Sequence, residues 1–262
     1  MKCFIVEPNS SVDILTPEQQ TSHTWVKEQL HCISNIEEAE MIMPISGDGA
    51  MLSAIKQYRV YDKPFIGINA GTRGFLMNNL KDQKSIDLLE KLDVEYISLW
   101  LLEAEVDTGE GIEFIYGFND IWAERATGQT LRMQLSFDGK DKTSYIVGDG
   151  MLFSTPQGST GYNLALRGKV IIPGVPVLQV TPIACIVNKA PLGSLILSDE
   201  SEVEVSFEQL SKRPARIFFD GMPFHEENVK SLVVRRSTKT VTLGFVKHAN
   251  FLSKMTSWQT RQ

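Results

Sequence analysis

The sequence predicts an α/β N-terminal domain with a parallel sheet, followed by a β-rich, β-sandwich-like C-terminal domain. Three observations predict it. Ahead of residue 96, short apolar runs alternate with stretches of helical periodicity, the pattern of parallel α/β sheets. Beyond residue 96, segments alternate apolar and polar residues with period two. Glycine-rich loops follow Ile45 and Ile68, at the carboxyl ends of apolar runs, where parallel sheets hold their ligands.

Taken in order, Cys3-Phe4-Ile5-Val6 reads as a first strand. A helix is predicted over residues 17 to 32. Thr16 is its N-cap and Pro17 its first helical residue, and Trp25, Val26, Leu30 and Ile33 recur at helical spacing. Met41 to Ile45 is a buried strand, and a helix-like run from Ala50 to Tyr58 follows the turn Gly47-Asp48-Gly49. Phe65 to Asn69 is a third apolar run. Lys81 to Leu92 is a helix with Ile86, Leu89 and Leu92 on one face. Leu101 to Asp107, Glu113 to Trp122, Leu131 to Phe137 and Glu202 to Phe207 read as extended. Asp138-Gly139 and Asp220-Gly221 mark turns, the first placed for a hairpin. One Gly/Ser/Thr-rich stretch, Gly148 to Gly168, interrupts the strands, and Thr240 to Val246 is a last strand. These readings divide the chain into domains 1–97 and 98–262, with a C-terminal tail that can pack back on the first domain. No flexible linker separates them, so a packed interface with a cleft is expected.

The totals bound the function. With 262 residues and 42% hydrophobic content, the chain can build one large core or two modest ones. A net charge of −6 excludes the basic footprint of non-specific nucleic-acid binding. Three cysteines at unpaired spacing (Cys3, Cys32 and Cys185) suit a reducing compartment. With no secretory pattern and no apolar run of 18 residues, no membrane partner is expected and the cytoplasm is the expected location.

Four stretches carry candidate chemistry. In Ser46-Gly47-Asp48-Gly49 a strand feeds a glycine turn that opens a helix, a layout that suits phosphate. The acid Asp48 would repel an anion, so its presence points to metal binding or proton transfer; a tight turn with a solvated Asp would look the same. The second loop, Gly67 to Leu76, brings backbone donors and Arg73. Asn119-Asp120 closes an apolar strand with an amide and a carboxylate, suited to vicinal ribose hydroxyls or equally to a solvated strand end. Gly148 to Asn163 combines a short apolar strand, small hydroxylated residues, glycines and Tyr162, a set suited to a mixed apolar and polar ligand. His23, His31, His225 and His248 have no nucleophile or acid at a telling spacing.

In chain order, these stretches resemble the motifs of the ATP- or polyphosphate-dependent NAD kinase family. Ser46-Gly47-Asp48-Gly49 resembles its GGDG motif, Gly67 to Leu76 its second glycine loop, and Asn119-Asp120 its Asn-Glu/Asp pair. Asp149-Gly150 through Tyr162 resembles its long Ser-Thr-Pro-x-Gly-Ser-Thr signature, and Thr181-Pro182-Ile183 its later Thr-Pro-Ile element. The resemblance implies transfer of the terminal phosphoryl group of ATP to the 2′-hydroxyl of the adenosine ribose of NAD. It implies Asp48 as general base, with Gly47 and Gly49 at the donor phosphates. Phe75, Asn119, Asp120 and Asp149 would contact the dinucleotide. Thr160, Gly161, Tyr162, Asn163, Leu164 and Ala165 would line it, and Ala184 would meet it through backbone. It further implies a divalent cation, Mg²⁺, arriving with ATP rather than in a protein metal site, and a homodimer or homotetramer.

Several residues depart from the family pattern. Ser46 stands for the first glycine, Ala50 for a common Thr, and Gly161 for Ala. Arg73 takes an apolar position, Val147 one that is basic in some members, and Met222 one that is often polar. Two other readings use the same motifs. A non-catalytic NAD(P)-binding regulator would bind without turnover, and retention of Asp48 counts against it. A lipid kinase sharing GGDG would want an apolar acceptor pocket or a membrane-facing patch.

Overall fold

Met41–Ser46 (β3) is apolar and buried from Met41 through Ile45, as a strand covered on both faces must be. It is the centre of a five-stranded sheet. With Lys2–Val6 (β1), His31–Cys32 (β2), Gly67–Asn69 (β4) and Met77–Asn78 (β5), the order is β2-β1-β3-β4-β5. Every pairing in it is parallel. The computed structural model describes residues 2–6, 17, 20, 24, 28, 30–70, 74–79, 93–140, 145–225, 229–246 and 254. The helix expected over 81 to 92 lies outside the described residues, as does most of that expected over 17 to 32. The latter stops short of its expected end, because His31 and Cys32 pair in parallel with Lys2 and Cys3.

The chain divides into two compact units, Met1–Leu99 with Val241–Gln262, and Trp100–Thr240. The long strands Val94–Asp107 (β6) and Ser231–Val246 (β19) carry the chain from one to the other. The stretch from Val241 thus groups with the first unit rather than with the rest of 98–262. Its backbone explains this: Phe65 N–H donates to Thr242 O at 2.9 Å, and Gly244 N–H donates to Phe65 O at 2.8 Å. Asn78, fully buried, adds to it. Its amide donates to Gly67 O and Gly244 O, and its oxygen accepts from Val246 N–H.

The second unit is built on two antiparallel sheets. An eight-stranded sheet runs β14-β13-β10-β9-β16-β19-β6-β7, and a six-stranded one runs β15-β12-β11-β8-β17-β18. The first contains Ile112–Gly117 (β7), Leu131–Phe137 (β9), Ile146–Gly148 (β10), Ile186–Val187 (β13), Ala190–Pro191 (β14) and Val203–Phe207 (β16). The second contains Asp120–Arg125 (β8), Gly150–Ser154 (β11), Val177–Ile183 (β12), Leu195–Ser198 (β15), Ala215–Phe219 (β17) and Met222–Pro223 (β18). Leu102, Met133 and Val205 from one sheet and Ile121, Phe153 and Val180 from the other share one apolar core. The alternation read in the sequence is the core-facing face of each strand.

One expectation is corrected. Glu113 to Trp122 is not one extended segment: it breaks at Phe118-Asn119, and its halves belong to different sheets. Both Asp-Gly turns are left-handed pairs: at Asp138-Gly139, with φ of 52° and 67°, Lys140 N–H donates to Phe137 O at 3.0 Å on the way from β9 to its antiparallel neighbour β10, and Asp220-Gly221 closes a tight two-residue hairpin. Phe219 and Met222 pair across it, and its residues have φ of 48° and 82°, the left-handed pair such a turn requires.

Candidate active site

In the first unit a cluster of candidate residues is built on Asp48. The helix Asp48–Tyr58 starts two residues earlier than the sequence indicated, with Gly47 as N-cap. Asp48 is therefore the first helical residue rather than part of the turn, a favourable place for an acid at the positive end of a helix. Its carboxylate is fixed on both oxygens. Phe75 N–H donates to Oδ2 at 3.0 Å and Leu76 N–H to Oδ1 at 2.9 Å. Burial pushes the Asp48 carboxyl above its usual range, and these two N–H groups and the charge of Lys254 oppose it. A carboxylate so placed can take a proton. A Cβ built on Gly49 would meet nothing within 4 Å, so the first turn has open space beside it. Asn69 donates to Asn79 at 2.7 Å and closes the strand-end loop from the other side.

In the second unit a cluster of candidate residues is built on the corner at Phe118-Asn119-Asp120. The carboxylate of Asp220 accepts the backbone N–H groups of all three, at 2.7, 2.7 and 3.3 Å. Asp220 N–H donates back to Asp120 O at 3.0 Å. Asp120 is 5% exposed. Burial and then the charge of Asp220 raise its carboxyl to about 8. Among the described residues, the buried Asn119 Oδ1 has no hydrogen-bond partner, nor has Gln157 Oε1. A buried acceptor left open is one a ligand hydroxyl can fill.

The long Gly/Ser/Thr-rich stretch wraps this corner. Thr155 Oγ1 donates toward Phe118 O at 2.8 Å and Asn119 O at 3.0 Å, and Gln157 Nε2 donates to Phe118 O and Trp100 O at 2.9 Å. A Cβ on Gly158 would lie 2.1 Å from Asn119 O, so only glycine fits there. Gly161 follows the turn Gln157–Thr160, and a Cβ on it would stand 3.8 Å from Asp120 Oδ2 and 3.9 Å from Asn119 Nδ2. The stretch thus brings Gly161 to the Asn119-Asp120 pair. Gly161 and Ala165 are exposed, and Thr160, Tyr162 and Leu164 half-buried. Asn163 differs: it is fully buried, and its side chain bonds Ser159 O, Lys169 O, Gln179 and Thr181. Any part it has in binding acts through the residues beside it.

Asp149 stands at the junction of β10 and β11. Its backbone N–H donates to Ile183 O and its carbonyl accepts from Arg125 N–H, while its carboxylate pairs with Arg125 Nε at 2.7 Å. Ala184 follows with φ 49° and is exposed. Tyr162 meets Trp122 edge-on, with centroids 5.2 Å apart, and Trp122 stacks on Phe218 at 4.9 Å. A cavity of about 370 Å³ is lined by Asp149, Tyr162 and Ile183 together with Glu124, Arg125, Ala126, Thr127 and Arg216. Arg216 pairs with Glu124 at 3.0 Å. Among these, Arg125, Arg216, Trp122, Asp220 and Lys254 were not singled out from the sequence as site residues. Only Asp220 carried a signal there, as half of an Asp-Gly turn.

Comparison with known proteins gives the class. Residues 118–243 match the model of the ATP-NAD kinase C-terminal domain. The chain is 34% identical over 224 residues to the NAD kinase of Rickettsia africae (strain ESF-5), covering 84% of this chain and 86% of that one. It is 34% identical over 234 residues to the NAD kinase of Rickettsia peacockii (strain Rustic), covering 87% and 89%. The yeast NADH kinase complexed with NADH superposes with a TM-score of 0.81 at 17% identity, over 99% of this chain and 87% of that one. An NAD kinase from Archaeoglobus fulgidus in complex with ATP superposes at 0.72 with 19% identity, over 98% of each chain. The class these matches define is the nucleotide phosphotransferases. Within it, the chain belongs to the NAD kinase family.

Proposed function

We propose that this protein transfers the terminal phosphoryl group of ATP to the 2′-hydroxyl of the adenosine ribose of NAD, giving NADP. The observation that carries the reading is the Asp48 carboxylate, held on both oxygens at the head of its helix. A ribose hydroxyl is a weak nucleophile near neutral pH. Asp48 takes its proton as the O2′–P bond forms; the P–O bond to the β-phosphate breaks and ADP leaves with that electron pair. A positioned base of this kind contributes about 10²- to 10⁴-fold.

In this reading Gly47 and Gly49 admit the donor phosphates beside the helix N-terminus. Asn119 and Asp120 hold ribose hydroxyls, and support comes from the open acceptor on Asn119. With its carboxyl raised to about 8, Asp120 is protonated near neutral pH and can donate as well as accept. Thr160, Gly161, Tyr162, Leu164 and Ala165 line the dinucleotide, with Asp149, Phe75 and the Ala184 backbone as further contacts. A divalent cation, Mg²⁺, enters as part of the ATP substrate and neutralises its phosphates. We assign the protein to the cytoplasm as a homodimer or homotetramer; among the described residues no helix is long and apolar enough to cross a membrane.

The test is a coupled assay with purified protein, NAD, ATP and Mg²⁺, in which NADP is read by an NADP-specific dehydrogenase. NADP formation supports the reading, and replacing ATP by polyphosphate defines the donor. NAD binding without NADP formation would favour a non-catalytic dinucleotide sensor.

A further inference from the structure

We propose that Lys254, in the C-terminal segment, is a positioning residue that fixes the Phe75–Met77 backbone and thereby the carboxylate of Asp48. The proposal rests on the reading of Asp48 as the base. Its geometry is two-sided. The N–H groups of Phe75 and Leu76 point to Asp48, at 3.0 and 2.9 Å. The carbonyls of the same segment point to Lys254: its ammonium donates to Phe75 O at 3.2 Å and to Met77 O. The ring of Phe245, whose centroid is 4.8 Å from Nζ, covers the ammonium from a third side. One cation therefore holds the carbonyl edge of a segment whose amide edge holds the base.

The electrostatics run the same way. Lys254 is the charged group that acts on Asp48 among the described residues, and Asp48 is the one that acts on Lys254. Burial pulls the Lys254 ammonium down to about 8, with Asp48 opposing the fall. Burial pushes Asp48 up, with Lys254 opposing the rise. Each charge favours the ionised form of the other, and an ionised Asp48 is the form that can accept a proton. A phosphate-transfer site gains from a base that is charged before substrate arrives and does not swing when its proton is taken.

The experiment compares the full chain with Lys254→Met and Lys254→Arg. For Lys254→Met the expected results are NAD affinity within about threefold of the parent by calorimetry, and kcat lower by about tenfold or more. The acid limb of its kcat–pH profile should move to higher pH, because a carboxyl that loses a neighbouring cation holds its proton longer. Lys254→Arg should return the acid limb toward the parent's. An unchanged kcat and acid limb in Lys254→Met would overturn the proposal. A second measurement on the unmutated protein needs no variant to fold. Followed by NMR from pH 6 to 10, the amide shifts of Phe75 and Leu76 and the Asp48 carboxyl shift should move together as Lys254 loses its proton; no joint movement would overturn the proposal. Failure of the base reading looks different: Asp48→Asn would keep its turnover, while the NMR coupling between Lys254 and Asp48 would still be seen.

Discussion

Asp220 Oδ1 accepts the backbone N–H of Asn119 at 2.7 Å, across 101 residues of sequence. The contact joins the Asp220-Gly221 hairpin to the corner where the chain leaves one sheet for the other. Asp220→Ala would strand the N–H groups of Phe118, Asn119 and Asp120, all held by one carboxylate. Hydrogen bonds to a charged group contribute about 1.5–3 kcal/mol each, and they are not additive. Asp220→Ala is therefore expected to lower stability by about 2–4 kcal/mol in denaturant melts. NAD affinity should fall with it. A variant with unchanged affinity would mean that the corner does not hold the dinucleotide.

Asp120 makes a pH prediction. Its folded-state carboxyl is raised to about 8 by burial and by Asp220, against about 3.9 for an unfolded Asp. Between these values the folded state holds a proton that the unfolded state has lost. Its contribution to stability is thus full below about pH 4 and is lost as pH rises through about 8. Melts between pH 5 and 8.5 should show stability falling with pH, by a few kcal/mol at most. Asp120→Asn cannot ionise and should flatten that slope. An unchanged slope in the variant would locate the effect elsewhere.

Asp48→Ala tests the base against mere placement. The side chain leaves, Phe75 and Leu76 lose their acceptor, and the second unit is untouched. NAD affinity is expected within a few-fold of the parent, and kcat lower by at least about 10². Calorimetry and the coupled assay separate the two quantities. An active Asp48→Ala enzyme would remove Asp48 from the mechanism.

The parallel sheet was legible because Met41 to Ile45 is apolar at every position and a glycine turn follows Ser46. The antiparallel sheets were legible in runs such as Leu131–Phe137, where Leu131, Met133 and Leu135 are buried and Arg132 between them is exposed. What the sequence hid was long-range. Within residues 113 to 122 only Gly117 and Asn119-Asp120 hint at a break, and the corner is fixed by Asp220 a hundred residues on. Lys254 sits in a polar tail and reads as solvated, yet it meets the backbone beside Asp48. Asn163 misled in the other direction. It reads as a ligand amide beside Tyr162, but the buried Thr181 eighteen residues later donates to its oxygen at 2.7 Å.

Tyr162 can be separated from its scaffold. Its ring meets Trp122 edge-on at 5.2 Å and lines the cavity beside Asp149. The Trp122 ring is itself held by stacking on Phe218, so truncating Tyr162 leaves that platform standing. Tyr162→Ala should weaken NAD binding by roughly tenfold, with the melt lowered by about 1 kcal/mol or less. If stability fell while affinity held, Tyr162 would be packing rather than ligand wall.

Two glycines set opposite tests of where substrate goes. At Gly158 an added methyl would strike Asn119 O at 2.1 Å, backbone against backbone, with no side chain able to yield. Gly158→Ala should therefore destabilise the second unit by about 1–3 kcal/mol and weaken NAD binding, as overpacking does. At Gly49 the same methyl meets nothing within 4 Å, inside the first turn of a helix. Ala there should raise stability by about 0.5–1 kcal/mol, the usual gain over Gly in a helix. If donor phosphates approach that turn, the methyl stands in their way. Gly49→Ala would then be more stable yet show a several-fold higher KM for ATP and an unchanged KM for NAD. A more stable Gly49→Ala with unchanged KM for ATP would move the donor phosphates away from the Asp48 helix.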